Sequence, residues 1–401
     1  MSLPRVKIAF FNGSLGTVPE SADGLLLMVC NGAAVSTTFA LNTAYEIKRL
    51  EALTALGVNA TNNPTLYKKV SEFYSEAPDG TRVVVAAVAS TVTVPKMVNK
   101  TIDAEESTGF VRSILEQYKG EIRGVVVAYK DATAAATTHA IAEDVLTALP
   151  LAQQLAEWAA TDLHAPIFVI LEGRNYSGFT SDLTDLTSNA YNRVGIMLGG
   201  TAADGSASVG MLAGRIAVSP VQRNVGRVKD GALFPQQLYL GDKLIETVMD
   251  DVETAYDKGY IVARTYAGKA GYFFVDDLLC TSRTDDYASL ANRRVADKAA
   301  RIAYTTLLNF MLDEIELNSD GTMQPAIAAY WQQSVVSAID KQMTANGELS
   351  ADDSQSGCKC LIDTTQNVAS TSKVNVTLKI RPYGYARYID VELGFLVEQM
   401  F

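Results

Sequence analysis

The chain is short of the residues that catalysis and metal binding use most. Among its 401 residues are two histidines and four cysteines. His139 lies in an Ala/Thr-rich stretch and His164 two residues before Pro166, and neither belongs to a metal-ligand spacing, so both read as structural. Cys30, Cys280, Cys358 and Cys360 are too few and too scattered for a disulfide framework. Cys358 and Cys360 have no second cysteine or histidine pair near them, which a zinc site would need. No cofactor or metal is expected.

Basic charge is also in deficit. Lys and Arg number 34 against 45 Asp and Glu, a net charge of -11, which argues against a general nucleic-acid binder and against attraction to anionic membranes. No apolar run approaches the length of a membrane span, and residues 1–7 lack the apolar core of a signal peptide. The expectation is a protein made and kept in a cytoplasm. No Gly-x-Ser-x-Gly elbow, P-loop or dinucleotide fingerprint occurs. The glycine-rich stretch 199–210 is the one candidate anion cradle, because it follows a strand-like run and precedes a helix-like one. Asp276-Asp277 and Asp285-Asp286 are adjacent carboxylates whose side chains diverge in a strand, so they read as solvated charge or partner contacts, not as an acid–base couple.

What is present is the patterning of a folded protein: 48% hydrophobic and 20% charged residues, in a chain long enough for two or three domains. Residues 25–29, 82–89, 122–129, 167–171 and 194–198 are continuous apolar runs of strand length, as in sheets buried on both faces. Residues 43–57, 107–118, 133–161, 181–189 and 209–217 supply helices. The middle of the chain is therefore α/β with a largely parallel sheet. A domain boundary is placed near Gly259. Residues 288–317 read as a long helix on which Arg294, Lys298 and Arg301 share one face, either a solvated stripe or a surface for an acidic partner. A second helix opens at Pro325 and stops at Gly347.

The end of the chain carries the strongest pattern. Val374, Val376, Leu378 and Ile380 alternate with polar residues, Pro382-Tyr383-Gly384 forms a turn, and Ile389, Val391, Leu393, Phe395 and Val397 resume the alternation, which together read as a hairpin. The run stays apolar through Met400 and Phe401. Side chains of this size left in water forfeit roughly 1.5–3 kcal/mol each. Two coverings are open: the protein's own core, or a neighbouring molecule that accepts the tail as an extra strand. Near the other end, Val6, Ile8 and Phe10 alternate ahead of Asn12-Gly13 as a second, tethered strand.

Gly271-Tyr272-Phe273-Phe274-Val275-Asp276-Asp277, the helix through Arg293-Arg294-Val295-Ala296-Asp297-Lys298-Ala299-Ala300-Arg301, the second helix, Ile362-Asp363-Thr364-Thr365-Gln366-Asn367 and the terminal alternation together resemble the contractile tail sheath proteins of phage tails, tailocins and contractile injection systems. The likeness is strongest over residues 259–401.

It implies an N-terminal arm at 1–20, an outer α/β domain at 21–258 and an inner domain at 259–401, built of helices and an antiparallel hairpin. It also implies a non-enzymatic subunit of a helical polymer of stacked hexameric rings, contracting around an inner tube to drive it through a target envelope. Its partners would be copies of itself, the tube, the baseplate and the tail terminator, with no nucleic acid and no membrane insertion, and it would be assembled in a bacterial cytoplasm as part of a virion tail or injection machine. By that likeness Val6, Ile8 and Phe10 form an exchanged arm, Ile389, Val391, Leu393, Phe395 and Val397 a donated strand, and Arg293, Arg294, Lys298 and Arg301 face the tube. Two other readings remain open: an α/β nucleotide- or phosphate-binding enzyme using 199–210, and a different self-assembling shell protein.

Overall fold

The computed structural model describes residues 23–131, 137–352 and 355–393. Val6, Ile8 and Phe10 at one end, and Phe395 and Val397 at the other, lie outside them. The chain divides into two compact units after Thr305.

The first unit is built on a six-stranded sheet. Its strands are β1 (Leu26–Asn31), β2 (Ala44–Ile47), β3 (Val83–Val88), β4 (Gly124–Ala128), β5 (Phe168–Glu172) and β6 (Val194–Met197), in the order β2-β3-β1-β4-β5-β6. All neighbours are parallel except β2, which runs antiparallel at the edge. The central strands are buried along their whole length, the expected consequence of β-branched runs with helices on both faces.

Helix α1 (Pro64–Glu76) turns Leu66, Val70 and Phe73 inward, with proline in its first turn where no amide hydrogen is needed. α2 (Phe110–Gln117) and α3 (Glu143–Thr161) follow β3 and β4, and α4 (Val209–Val218) follows β6. α1 and α4 pack closely because α4 presents Gly210 and Gly214: a Cβ at either would stand 2.1 Å from the Lys69 carbonyl oxygen or 2.3 Å from that of Phe73. The segment 43–57 is a short strand and a short helix, not one helix, and 181–189 holds two 3-10 turns.

The sequence places a boundary near Gly259; by compactness the first unit runs on to Thr305. Gly259 does break the helix before it, with φ +89. Tyr260, Ile261 and Val262 are nevertheless fully buried, and Ile261 pairs with the sheet: its amide donates to the Ile196 carbonyl at 2.9 Å and its carbonyl accepts from Leu198 at 2.9 Å. β7 (Ala263–Tyr266) and β8 (Lys269–Phe274) form a hairpin, and α5 (Leu290–Leu307) closes the unit.

In the second unit, α6 (Pro325–Ile339) buries Ala328, Trp331, Val335 and Ile339, spaced as one helical stripe, and Trp331 stacks on Phe310 at 4.7 Å. It packs on a two-stranded antiparallel sheet of β9 (Cys358–Ile362) and β10 (Val376–Ile380), in register from Cys358↔Ile380 to Ile362↔Val376. Helix α7 (Val368–Thr371) lies in the connection. The expected terminal hairpin is thus corrected. The partner of residues 376–380 is β9, and 381–393 carry no strand.

Candidate functional site

Three places bear on function: the basic face of α5, the glycine-rich loop before α4, and the end of the C-terminal unit.

The four cations assigned to a tube-facing stripe are all engaged within the first unit. Arg294 is 4% exposed. Its Nη2 donates to the carbonyls of Ile216 at 3.2 Å and Ser219 at 2.9 Å, and Nη1 to that of Pro220 at 3.5 Å. The guanidinium therefore caps the carbonyl end of α4, where backbone acceptors lack helical partners and the helix dipole is negative. Arg293 is also buried, pairs with Asp297 at 2.8 Å and lies 4.0 Å over the Tyr287 ring. Asp297 in turn holds Arg193 at 3.1 Å. In the single chain Arg293 and Arg294 are thus enclosed, whereas the resemblance had them face a tube; helical spacing does not say which way a face turns.

Lys298 and Arg301 are only partly buried, and both bind Asp23, at 2.7 Å each. Arg123 stands 3.8 Å from the same carboxylate. Burial opposes ionisation of Asp23, but the Lys298 hydrogen bond and the charges of Lys298, Arg301 and Arg123 outweigh it and hold the carboxyl below its ordinary value. Asp23 lies 278 positions from Arg301 and gave no local signal in the sequence.

Asp276 and Asp277 are buried as well, contrary to the solvated reading. Asp277 accepts from Ser289 Oγ at 2.6 Å and from the Ala291 amide at 2.9 Å, so it caps the start of α5.

The loop 199–208 is filled by the protein's own acids. Glu72 accepts from Ser208 Oγ at 2.8 Å and from Thr201 Oγ1 at 3.2 Å. Glu172 accepts from the Ala207 amide at 3.1 Å and from the Lys69 ammonium at 2.8 Å. Burial disfavours the charged form of Lys69, but Glu172 and Glu72 outweigh it and raise its pKa. An external phosphate would have to displace two carboxylates already placed on these donors. His164 stacks on Tyr304 at 4.6 Å. Among the described residues there is no group of three or more His, Cys, Asp or Glu side chains that could hold a metal, and no helix long and apolar enough to cross a membrane.

In the C-terminal unit no third strand joins β9 and β10 among the described residues. Beyond β10, Tyr388, Ile389, Val391 and Leu393 are exposed, Leu393 by 96%. Of the donated-strand residues, Ile389, Val391 and Leu393 are described, and all three are exposed.

Residues 3–278 match the N-terminal domain of DUF2586, and residues 286–400 match the DUF2586 C-terminal domain. No curated protein matches the chain in sequence. Among solved structures, the contracted helical sheath of the anti-feeding prophage aligns at 14% identity and TM-score 0.61, covering 98% of this chain and 99% of that one. The contracted sheath complex of the extracellular contractile injection system PVC aligns at 12% identity and TM-score 0.61, covering 98% of each. A sheath tail protein from Listeria innocua aligns at 10% identity and TM-score 0.54, covering 92% of this chain and 94% of its own. The fold, a mixed α/β arrangement on a largely parallel sheet, is that of contractile sheath proteins.

Proposed function

Because this chain belongs to the DUF2586 family and has the fold of contractile sheath proteins, we propose that it is the structural subunit of a contractile sheath. Subunits polymerise helically around an inner tube, bound to a baseplate and capped by a terminator, and contraction drives the tube through a target envelope. The polymer is assembled in a bacterial cytoplasm. Its links are strands exchanged from the N-terminal arm, with Val6, Ile8 and Phe10, and from the C-terminal run, with Ile389, Val391, Leu393, Phe395 and Val397.

The observation that carries this reading is the two-stranded sheet β9–β10 followed by exposed apolar residues. Two strands alone are marginal in water, and unpaired edges invite another strand. Burying Tyr388, Ile389, Val391 and Leu393 stabilises by roughly 6–12 kcal/mol at 1.5–3 kcal/mol each. Fixing the six backbone residues 388–393 costs about the same, 6–12 kcal/mol. Side-chain burial alone therefore does not order this segment, and main-chain hydrogen bonds from a sheet edge must be added, as strand addition provides. Such bonds are indifferent to side chains, so linked subunits can rotate and slide without parting.

Tube contact is proposed without Arg293 and Arg294, which are enclosed; Lys298 and Arg301 would reach a tube only by leaving Asp23. The filled loop before α4 supports a structural role over phosphate chemistry.

The test is the triple variant Ile389→Asp, Val391→Asp, Leu393→Asp. These side chains are exposed in the single chain, so the variant should melt as the wild type does and remain monomeric by analytical ultracentrifugation where the wild type polymerises. Normal polymers from the variant would remove the C-terminal strand from the linkage.

A further inference from the structure

Asp23 is the first described residue after the segment that holds Val6, Ile8 and Phe10, and it is fixed from several directions. Its Oδ2 takes Lys298 Nζ and its Oδ1 takes Arg301 Nη2, two cations one turn apart on α5. Gly24 is wedged against α4, where a Cβ would come 2.2 Å from the Ala217 carbonyl oxygen. The Leu25 carbonyl accepts from the Arg123 amide at 2.8 Å, and β1 begins one residue later. Residues 23–25 thus touch α5, α4 and the start of β4 within three positions, and no side chain larger than hydrogen fits at the middle one.

We propose that Asp23 is the positioning residue at the root of the N-terminal arm: an ionic clamp that fixes residues 23–25 on α5, α4 and the start of β4, on which the arm's link to a neighbouring subunit depends. This rests on the sheath reading for what the arm does, but the clamp itself is a property of the single chain.

The charge balance makes the clamp sensitive to Asp23. The Asp23 carboxylate pairs with Lys298 and Arg301 and stands 3.8 Å from Arg123. Burial and the nearby Arg301 charge already push Arg123 down to about 10, and its buried Nε has no hydrogen-bond partner. Without the carboxylate, the Arg301 and Arg123 charges repel each other uncompensated by Asp23 in a partly buried space, where the repulsion is screened less than in water. The strand root then loses its hold on α5 while the sheet and core beneath it keep theirs.

Full-length Asp23→Asn and Asp23→Glu are compared with the wild type by hydrogen–deuterium exchange of the monomer and by the protein concentration at which polymer forms. In Asp23→Asn, which keeps the size and removes the charge, exchange in the peptides carrying Asp23 and residues 298–301 should rise about tenfold or more, with the central strands unchanged. The concentration needed for polymer should rise by about the same factor, one tenfold step in an equilibrium. Asp23→Glu should restore most of both. Unchanged exchange in Asp23→Asn would overturn the clamp, and faster exchange with wild-type polymerisation would overturn its positioning role. A wild type that forms no polymer sinks the sheath reading and the positioning role with it, while the exchange comparison still decides whether the clamp exists.

Discussion

Replacing Arg294 with Met separates an enclosed structural cation from a surface one. Methionine keeps most of the apolar stem, so the substitution mainly deletes the guanidinium. Two well-formed hydrogen bonds are lost, to Ile216 and Ser219 at 3.2 and 2.9 Å, with a longer one to Pro220. Bonds from a charged donor contribute about 1.5–3 kcal/mol each, which bounds the loss near 3–6 kcal/mol. Relief of the cost of burying a cation offsets part of that. The net expectation is a destabilisation of about 2–4 kcal/mol, because the carbonyl end of α4 stays in the interior without its cap. At about 2–4 °C per kcal/mol for a large domain, the melting temperature of the first unit falls by roughly 4–16 °C. Differential scanning calorimetry on the full chain reads this directly, with Lys359→Met, at an exposed position on β9, as the control. A Tm within about 1 °C of wild type would refute the enclosed role and return Arg294 to the surface stripe that helical spacing alone suggests.

Two further outcomes follow from the same geometry. Asp23 has a folded pKa below its ordinary 3.8, so the clamp's stabilisation is complete above that value and lost as pH falls through the lowered one. The Tm difference between wild type and Asp23→Asn should therefore stay constant from about pH 5 to 8 and close on further acidification; a gap that instead disappears between about pH 5 and 8 would contradict the assignment. The loop before α4 should not respond to phosphate or ATP. With Glu72 and Glu172 on its donors, millimolar ligand should leave Tm unchanged, whereas a concentration-dependent rise would revive the enzyme reading.

The parallel sheet was legible because its strands are uniform apolar runs, and the structure places β1, β3, β4, β5 and β6 within two residues of where those runs lie. Helix α1 falls outside the segments read as helices, although its signal is local: Asn63-Pro64 opens it, and Leu66, Val70 and Phe73 recur at helical spacing. What local patterns could not carry was long-range pairing. Gly259 stops a helix but says nothing of Ile261 rejoining the sheet. The alternation of 374–380 marks a strand but not its partner, which the chain supplies from before it, in Cys358–Ile362, and not from after it. The i, i+4, i+7 spacing of Arg294, Lys298 and Arg301 is the same for a stripe facing water and one facing the interior. The acid that pairs with the last two, Asp23, lies at the far end of the sequence.

The central claim is that this chain polymerises helically into a sheath. Negative-stain electron microscopy of the purified full-length protein over a range of concentrations tests it most directly. Hollow cylinders of uniform diameter with a helical repeat are the predicted result, and a monodisperse monomer at every concentration would contradict it.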